Sequence, residues 1–351
     1  MSSPSTATAR RNLGADADYA ELKRIVKERG LLNKQPRYYT FRFIVTLAMF
    51  ALSWVILFAV DNPWVQVLNA VYMGFMMTQV GFLGHDLGHG QVFHDRRRSD
   101  TVGLLLGNGL MGMSRTWWVN KHNAHHANPN VDDMDPDIDI PILAFSEQDA
   151  LSKQGFLRHL VRYQAYYFIP ITFFQAWGMH KISVETLIKD KPAGWRSELT
   201  VLIIHFIVYA MLVFLALGVP MGLLFIFIQK SVTGLYNASV FAPNHKGMPV
   251  LDKDNHLDFL RKQVLTSRNI QAHPITDFWY GGLNYQIEHH LFPTMPRNQL
   301  RESQAIVVDF CRQKGIPYHE TSILGSYREI ISYLHEVSEP LLAEARASAA
   351  A

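Results

Sequence analysis

The chain has 351 residues, of which 48% are hydrophobic and 18% are charged, and its formal net charge is +3. This balance predicts membrane-spanning segments mixed with polar regions rather than two soluble domains. So mild a positive charge, with no basic stripe interleaved with aromatic residues, argues against a nucleic-acid partner. The single cysteine, Cys311, excludes an intramolecular disulfide and agrees with a reducing compartment.

The first 40 residues are predicted to form a tail followed by an amphipathic helix. Residues 1–9 are small and polar, without the basic start, apolar core and cleavage site of a signal peptide. From Tyr19 to Gly30, the apolar residues Leu22, Ile25 and Val26 recur at helical spacing. We expect this helix to lie on the membrane surface or against a cytosolic domain.

Four long uncharged or nearly uncharged stretches come in two pairs. Each pair is divided by a short break, at Asp61–Pro63 and at Gly218–Pro220. Each stretch is long enough to cross a hydrocarbon core of about 30 Å. We therefore predict an all-α integral membrane protein with two transmembrane hairpins, whose spans are residues 43–60, 64–84, 199–217 and 221–243.

The distribution of charge predicts the orientation of these spans. Neither break contains Lys or Arg, whereas Arg96–Arg98, Arg115 and Lys121 all fall on the other side of the spans. Because positive loops stay in the cytoplasm, we expect both termini and the regions after the second and fourth spans to be cytosolic. Lys230 interrupts the fourth span, and such a charge faces a cavity or snorkels to the interface. It is assigned a provisional substrate-binding role.

Three clusters of histidine carry the chemistry of the sequence. They are His85 to His89, His122 to His126, and Gln286 to His290. A helix places residues three and four apart on one face, so each cluster brings its imidazoles together. Imidazole suits iron, zinc, copper and nickel, and no paired cysteines suggest a structural zinc site. The clusters predict a cytosolic helical cap that binds more than one metal ion, whereas isolated histidines such as His205 are expected to be structural.

Residues near the second cluster have two possible roles each. Asp135 and Asp137 follow it in an acidic loop, and they either face solvent or hold the far ring nitrogens of the histidines and fix their tautomers. Trp117 and Trp118 precede it, and they either anchor the chain at the membrane interface or contact substrate.

The motifs HxxxH, HxxHH and QxxHH, in this order around two hydrophobic hairpins, resemble those of the membrane fatty-acid desaturases. The resemblance covers roughly residues 43–318. It implies two histidine-bound iron ions that activate O₂ and remove two hydrogens from an acyl chain, giving a cis double bond. The ligands and catalytic residues it implies are His85, His89, His122, His125, His126, His289 and His290.

Two further positions follow from the same resemblance. The family draws a ligand from the end of the fourth span, where this chain has His245, and Asn244 beside it is assigned to the surroundings of the site. Many members carry histidine where this chain has Gln286, whose carboxamide either coordinates a metal weakly or hydrogen-bonds a group beside it. This glutamine is frequent in front-end desaturases and in some others, so the position of the double bond stays open.

The resemblance also implies partners and domain limits. The expected substrate is a long-chain acyl-CoA or acyl-lipid drawn from the bilayer. The His-Pro-Gly-Gly motif of a fused haem domain is absent, so electrons are expected from a separate ferredoxin or cytochrome with its reductase. The desaturase domain is predicted at residues 41–320, followed by a C-terminal helix and tail at residues 321–351.

Two alternatives remain from the sequence. A di-iron hydroxylase or ketolase would share the scaffold and the hydrogen abstraction, and would differ only in the fate of the radical. A metal-transporting or metal-storing membrane protein belongs to another class. Against it, transport sites normally lie near the bilayer midplane rather than in a cytosolic cap.

Overall fold

The computed structural model describes residues 6–350 and the side chains of residues 17–347. Residues 1–5 of the predicted tail lie outside the described residues. The described chain is mostly helical, as predicted, with one pair of two-residue parallel strands. The first helices are α1 (Thr6–Glu28), α2 (Pro36–Ala59), α3 (Pro63–Gly88), α4 (Arg96–Leu104), a π-helix (Leu105–Met111) and α5 (Arg115–Ala127).

The remaining elements lie between Glu147 and the C-terminus. The middle of the chain has α6 (Glu147–Ser152), α7 (Gly155–Val161), α8 (Gln164–Ile171), a 3-10 turn (Thr172–Phe174), α9 (Gln175–Lys189) and α10 (Trp195–His245). The last part has α11 (Phe259–Leu265), β1 (Asn269–Ile270), α12 (Pro274–Trp279), α13 (Gln286–Leu291), a 3-10 turn (Arg297–Gln299), α14 (Leu300–Lys314), β2 (Glu320–Thr321) and α15 (Ile323–Ala350).

The chain forms two compact units. Of the described residues, unit 1 comprises 6–33, 123–168 and 240–350, and unit 2 comprises 34–122 and 169–239. Within the described residues, three helices are long and apolar enough to span a membrane, namely α2, α3 and α10.

The turn between α2 and α3 shows why the first hairpin of unit 2 forms. Asn62 caps α3 by accepting from the backbone N–H groups of Trp64 and Val65, and Pro63 starts the helix with its φ already set. The Gln66 side chain donates to the carbonyls of Ile56, Leu57 and Val60 at the end of α2. Carbonyls in the last turn of a helix are incompletely satisfied within it, so Gln66 stabilises the end of one helix from the other.

The long helix α10 contains a break at the predicted second turn. Gly218 has φ 69° and ψ 172°, which are not helical values, so the 51 residues form two helices joined at this glycine. Large apolar side chains such as Ile207, Leu215 and Leu223 are more than half exposed. An exposed apolar surface of this kind suits contact with lipid.

A buried carboxylate in unit 2 fixes the start of α5. Glu198 accepts hydrogen bonds from the side chains of Asn108, Ser114 and Thr116 and from the backbone N–H of Thr116, the last at 3.3 Å. Asn108 belongs to the π-helix that precedes α5. A negative charge at a helix N-terminus is favourable, so this network orients the helix that carries the second histidine motif.

Unit 1 has its own apolar core around the third histidine motif. Leu22 and Val26 of α1 pack in it with Val264, Ile287 and Val307, all of them fully buried. The predicted amphipathic helix is therefore found, with one face packed against the core of this unit and charged residues such as Lys23 and Arg24 exposed. The ladder of β1 and β2 pairs Asn269 with Glu320 and connects the chain before and after α13.

Candidate metal centre

Unit 2 carries three of the predicted ligands in one group, here called cluster A. The last turns of α3 supply His85 and His89 at i, i+4, and α5 supplies His122. The Nε2 atom of His122 lies 3.2 Å from that of His85 and 2.9 Å from that of His89. Three ring nitrogens therefore converge on one point.

These separations fit a shared metal ion. Two ring nitrogens that each lie roughly 2.1 Å from one ion and subtend roughly 90–110° are about 3.0–3.4 Å apart. Trp118 covers the cluster, since its ring stacks on His122 with a centroid distance of 4.6 Å and meets His85 edge-on at 5.6 Å. Gly88 makes room for it, because a Cβ at that position would come 2.6 Å from the indole.

Unit 1 carries a second group, cluster B, formed by His125, His245 and His290. All three side chains are buried, and their candidate ligand atoms lie within 4.8 Å of one another. The Nε2 atoms of His125 and His245 are 3.3 Å apart. Since two lone pairs repel at this distance, the arrangement suits a cation between them.

The outer nitrogen of His125 is held by a carboxylate. His125 Nδ1 lies 2.9 and 3.0 Å from the two oxygens of Asp135, which also accept from the backbone N–H groups of Asn130 and Asp137 at 2.8 Å. Burial alone would raise the pKa of Asp135, but His125, Lys246 and the Asn130 N–H outweigh it and hold the pKa below its usual value. The ionised carboxylate keeps the proton of His125 on Nδ1 and its Nε2 lone pair directed into the cluster.

His290 shows the same arrangement with a neutral partner. Its Nδ1 donates to Gln263 Oε1 at 2.8 Å, and the Gln263 amide donates in turn to the His126 carbonyl at 2.9 Å. The Nε2 of His290 is buried and has no hydrogen-bond partner among the described residues. Burial, together with neighbouring histidines such as His126, lowers the pKa of His290 well below its usual value. A buried neutral imidazole with an unsatisfied acceptor is what a metal ligand requires.

His245 completes cluster B from the end of α10. Its Nδ1 donates to the Thr266 carbonyl at 3.1 Å. The carboxamide nitrogen of Gln286 lies 2.9 Å from the Nε2 of His245, while the Gln286 oxygen accepts from Asn244 Nδ2 at 3.0 Å. Asn244 also donates to the Leu283 carbonyl, which fixes which way the Gln286 amide faces. The amide nitrogen of Gln286 therefore faces the His245 atom that would also hold a metal, and both predicted roles of Gln286 stay predictions.

His126 and His289 lie beside cluster B. The rings of His126 and His290 stack with centroids 4.1 Å apart, and His289 meets His126 edge-on at 4.8 Å. Between the motif's glutamine and its histidines, Glu288 is fully buried and accepts from Asn269 and Tyr318. Burial raises the pKa of Glu288 to about 7.

Asp137, Trp117 and Lys230 were also predicted to belong to the site. Asp137 is more distant than Asp135, with an oxygen 3.5 Å from His125 Nδ1. Trp117 is 9% exposed, so it is a core residue rather than an exposed anchor. Lys230 is buried with its ammonium 5.1 Å from the Tyr209 ring, and no hydrogen bond among the described residues joins it to cluster A.

The sequence did not predict the residues of distant segments that hydrogen-bond the outer ring nitrogens of the histidines. Gln263 and Thr266 bind His290 and His245 from 27 and 21 residues away. No spacing rule connects such pairs. Composition gave no signal either, because the flanking residues from Asp252 to Asp277 are also rich in polar and charged side chains.

Comparison with known proteins identifies the family. The fatty acid desaturase family profile matches residues 62–322. The chain is 33% identical over 318 residues to a Delta(8)-fatty-acid desaturase of Euglena gracilis, covering 87% of this chain and 74% of that protein. It is 31% identical over 343 residues to the Delta(6)-fatty-acid desaturase fat-3 of Caenorhabditis elegans, covering 93% of this chain and 76% of that protein.

A third relative is longer than this chain. The chain is 30% identical over 335 residues to an acyl-lipid (9-3)-desaturase of Physcomitrium patens, covering 92% of this chain but only 63% of that protein. The profile covers most of the chain and contains all three histidine motifs, together with His245. The chain therefore belongs to the fatty acid desaturase family, whose members are oxidoreductases.

Proposed function

We propose that this protein is an O₂-dependent desaturase that introduces a cis double bond into a long acyl chain at two histidine-bound iron ions, one at cluster A and one at cluster B. The observation that carries the proposal is the convergence of ring nitrogens in each cluster: His122 Nε2 lies 2.9 and 3.2 Å from its partners in cluster A, and the candidate ligand atoms of cluster B lie within 4.8 Å of one another, with the His125–His245 pair at 3.3 Å. In cluster B the outer nitrogens donate to Asp135, Thr266 and Gln263, so each Nε2 atom carries a lone pair, and a metal ion would replace the Gln286 amide as the partner of His245 Nε2.

The residues of the chain determine what the centre can do. An unactivated methylene has no acidic proton, so acid–base catalysis cannot break its C–H bond, and bound iron would supply the activated O₂ that this step needs. The imidazoles hold the metal ions as neutral ligands, and Asp135 and Gln263 fix their tautomers. Gln286 lies at His245 Nε2, and beside a bound metal its carboxamide would either coordinate weakly through its oxygen or hydrogen-bond a neighbouring group. Trp118 covers cluster A and excludes water from that side.

The reaction balances with an external reductant. The substrate loses two hydrogens, and O₂ accepts these with two electrons and two protons, giving two waters. We assign the electrons to a separate ferredoxin or cytochrome with its reductase. The names of the relatives include both fatty-acid and acyl-lipid desaturases, so the substrate is proposed as a long acyl chain carried on a lipid or on CoA.

The membrane topology is part of the proposal. With α2, α3 and the two halves of α10 on either side of Gly218, the chain has four helical segments for two hairpins. Each half of α10 would cross a core of about 30 Å at 1.5 Å per residue. Both termini and both clusters are then cytosolic, and the desaturase domain corresponds to residues 41–320.

Acyl-chain analysis tests the function. The protein is expressed in a host of known lipid composition, with His125→Ala as the inactive variant and His335→Ala, at an exposed position of α15, as the matched control. We expect a new unsaturated acyl chain that requires O₂ and reductant, and that disappears only in His125→Ala. An oxygenated product instead would favour the hydroxylase, and metal uptake without any acyl product would favour the transporter.

A further inference from the structure

A buried arginine binds the helix end that carries His245. Arg268 is completely buried in unit 1. Its Nε donates to the Pro243 carbonyl at 2.5 Å, its Nη2 donates to the Lys246 carbonyl at 2.5 Å, and its backbone N–H donates to the Asn244 carbonyl at 2.9 Å. One residue therefore binds the carbonyls on both sides of His245.

Carbonyls at the end of a helix find no hydrogen-bond donors within the helix. The last four C=O groups of an α-helix have no intrahelical partner, and leaving them unpaired in a buried place is costly. A cation at the C-terminus also interacts favourably with the helix dipole. The planar guanidinium donates in several directions at fixed angles, which a lysine ammonium does not reproduce. Arg268 thus fixes both the position and the direction in which α10 ends.

Arg268 is itself fixed from α15. Its Nη1 is 2.5 Å from a carboxylate oxygen of Glu329, and its Nη2 lies 3.4 Å from the Ser326 carbonyl. Glu329 also accepts from His319 at 2.9 Å. A buried charge is tolerated when it is paired and hydrogen-bonded, so the guanidinium has no freedom to leave the helix end.

The same loop controls the ring of His245. Thr266, two residues before Arg268, accepts the Nδ1 proton of His245. The short segment from Thr266 to Arg268 therefore binds both the backbone around His245 and its side chain. Resting on the proposed role of His245 as a metal ligand, we propose that Arg268 is a positioning residue for the metal bound at cluster B, and that it acts through His245.

Metal titration of the purified protein tests this assignment. Metal-free parent, Arg268→Gln, Arg268→Lys and His245→Ala are titrated with Fe²⁺ without O₂, together with Arg312→Gln as a control at an exposed arginine of α14. We expect Arg268→Gln to weaken binding of one of the two ions by about 10–100-fold, the usual loss when a group supporting a ligand is removed. Arg268→Lys weakens the same ion, and Arg312→Gln binds like the parent.

The double variant Arg268→Gln/His245→Ala separates a positioning role of Arg268 from general support of the fold. If Arg268 acts through His245, Arg268→Gln adds nothing to the loss already caused by His245→Ala, because coupled residues are not additive. Additive losses, or equal weakening of both ions, would overturn the proposal. So would parent-like binding in Arg268→Gln and Arg268→Lys, or failure of both variants to fold. If His245→Ala itself leaves metal binding unchanged, then the role of His245 in the proposed centre is wrong, which is a different outcome.

Discussion

Replacing Asp135 by asparagine tests whether the metal site depends on the charge behind His125. The change keeps the size of the side chain and removes its charge. Asp135 accepts from three donors, namely from His125 Nδ1 with both oxygens and from the backbone N–H groups of Asn130 and Asp137 with one oxygen each. An asparagine has one oxygen, so whichever way it turns, its NH₂ group faces a backbone N–H.

The magnitude follows from these contacts. The variant loses one charge-assisted hydrogen bond and leaves one buried backbone donor unsatisfied, which costs on the order of 1–3 kcal/mol. It also loses the preference for the proton of His125 to sit on Nδ1. We expect affinity for the metal at cluster B to fall by about 10–100-fold, with cluster A unaffected.

The assay compares metal retention in matched variants. Parent, Asp135→Asn and Asp133→Asn are loaded with Fe²⁺ and challenged with graded chelator. Asp133 is in the same loop, its side chain is 77% exposed, and its φ of 59° is one that asparagine tolerates. Asp133→Asn should behave like the parent. Folded Asp135→Asn that holds both ions as tightly as the parent would refute the role assigned to Asp135.

Three further predictions concern the pH dependence of stability, the orientation of the chain in the membrane and the third histidine motif. Because burial raises the pKa of Glu288 from 4.5 to about 7, its ionisation opposes folding, with the penalty absent below pH 4.5 and complete above pH 7. The free energy of unfolding of metal-free Glu288→Gln, measured by thermal unfolding, should therefore exceed that of the parent by an amount that grows by about 2 kcal/mol from pH 5 to pH 8. A difference that does not change with pH would contradict this. Reporter fusions after Ala127 and after Arg301 should both report the cytosol, and disagreement would break the four-span proposal. Gln286→Ala should keep its iron and lose activity by at least about tenfold, whereas parent-like turnover would exclude Gln286 from the site.

The local parts of this fold follow from the sequence. The break at Asp61–Pro63 was predictable because Asn62 and Pro63 are a helix cap and a helix start, and Gly218 marked the second break. His85 and His89 were predictable as a pair because their spacing alone places them on one face of a helix. In each case the information lies within a few residues of the feature.

The parts that depend on distant contacts could not be predicted. Nothing near Arg268 in the sequence indicates that it binds the end of α10, and nothing near Glu198 indicates that it binds the start of α5. Asp135 was proposed because it lies close to His125 in the chain, whereas Gln263 does the same for His290 from another helix. Such pairings are set by tertiary packing, which local patterns do not encode.

Iron content per chain tests the central claim of two histidine clusters most directly. Purified active parent is compared with His89→Ala, in cluster A, and His290→Ala, in cluster B, by metal analysis. We expect close to two irons in the parent and close to one in each variant, since each substitution removes a ligand from one cluster only. Active protein that contains zinc alone, or a single iron in the parent, would contradict the account.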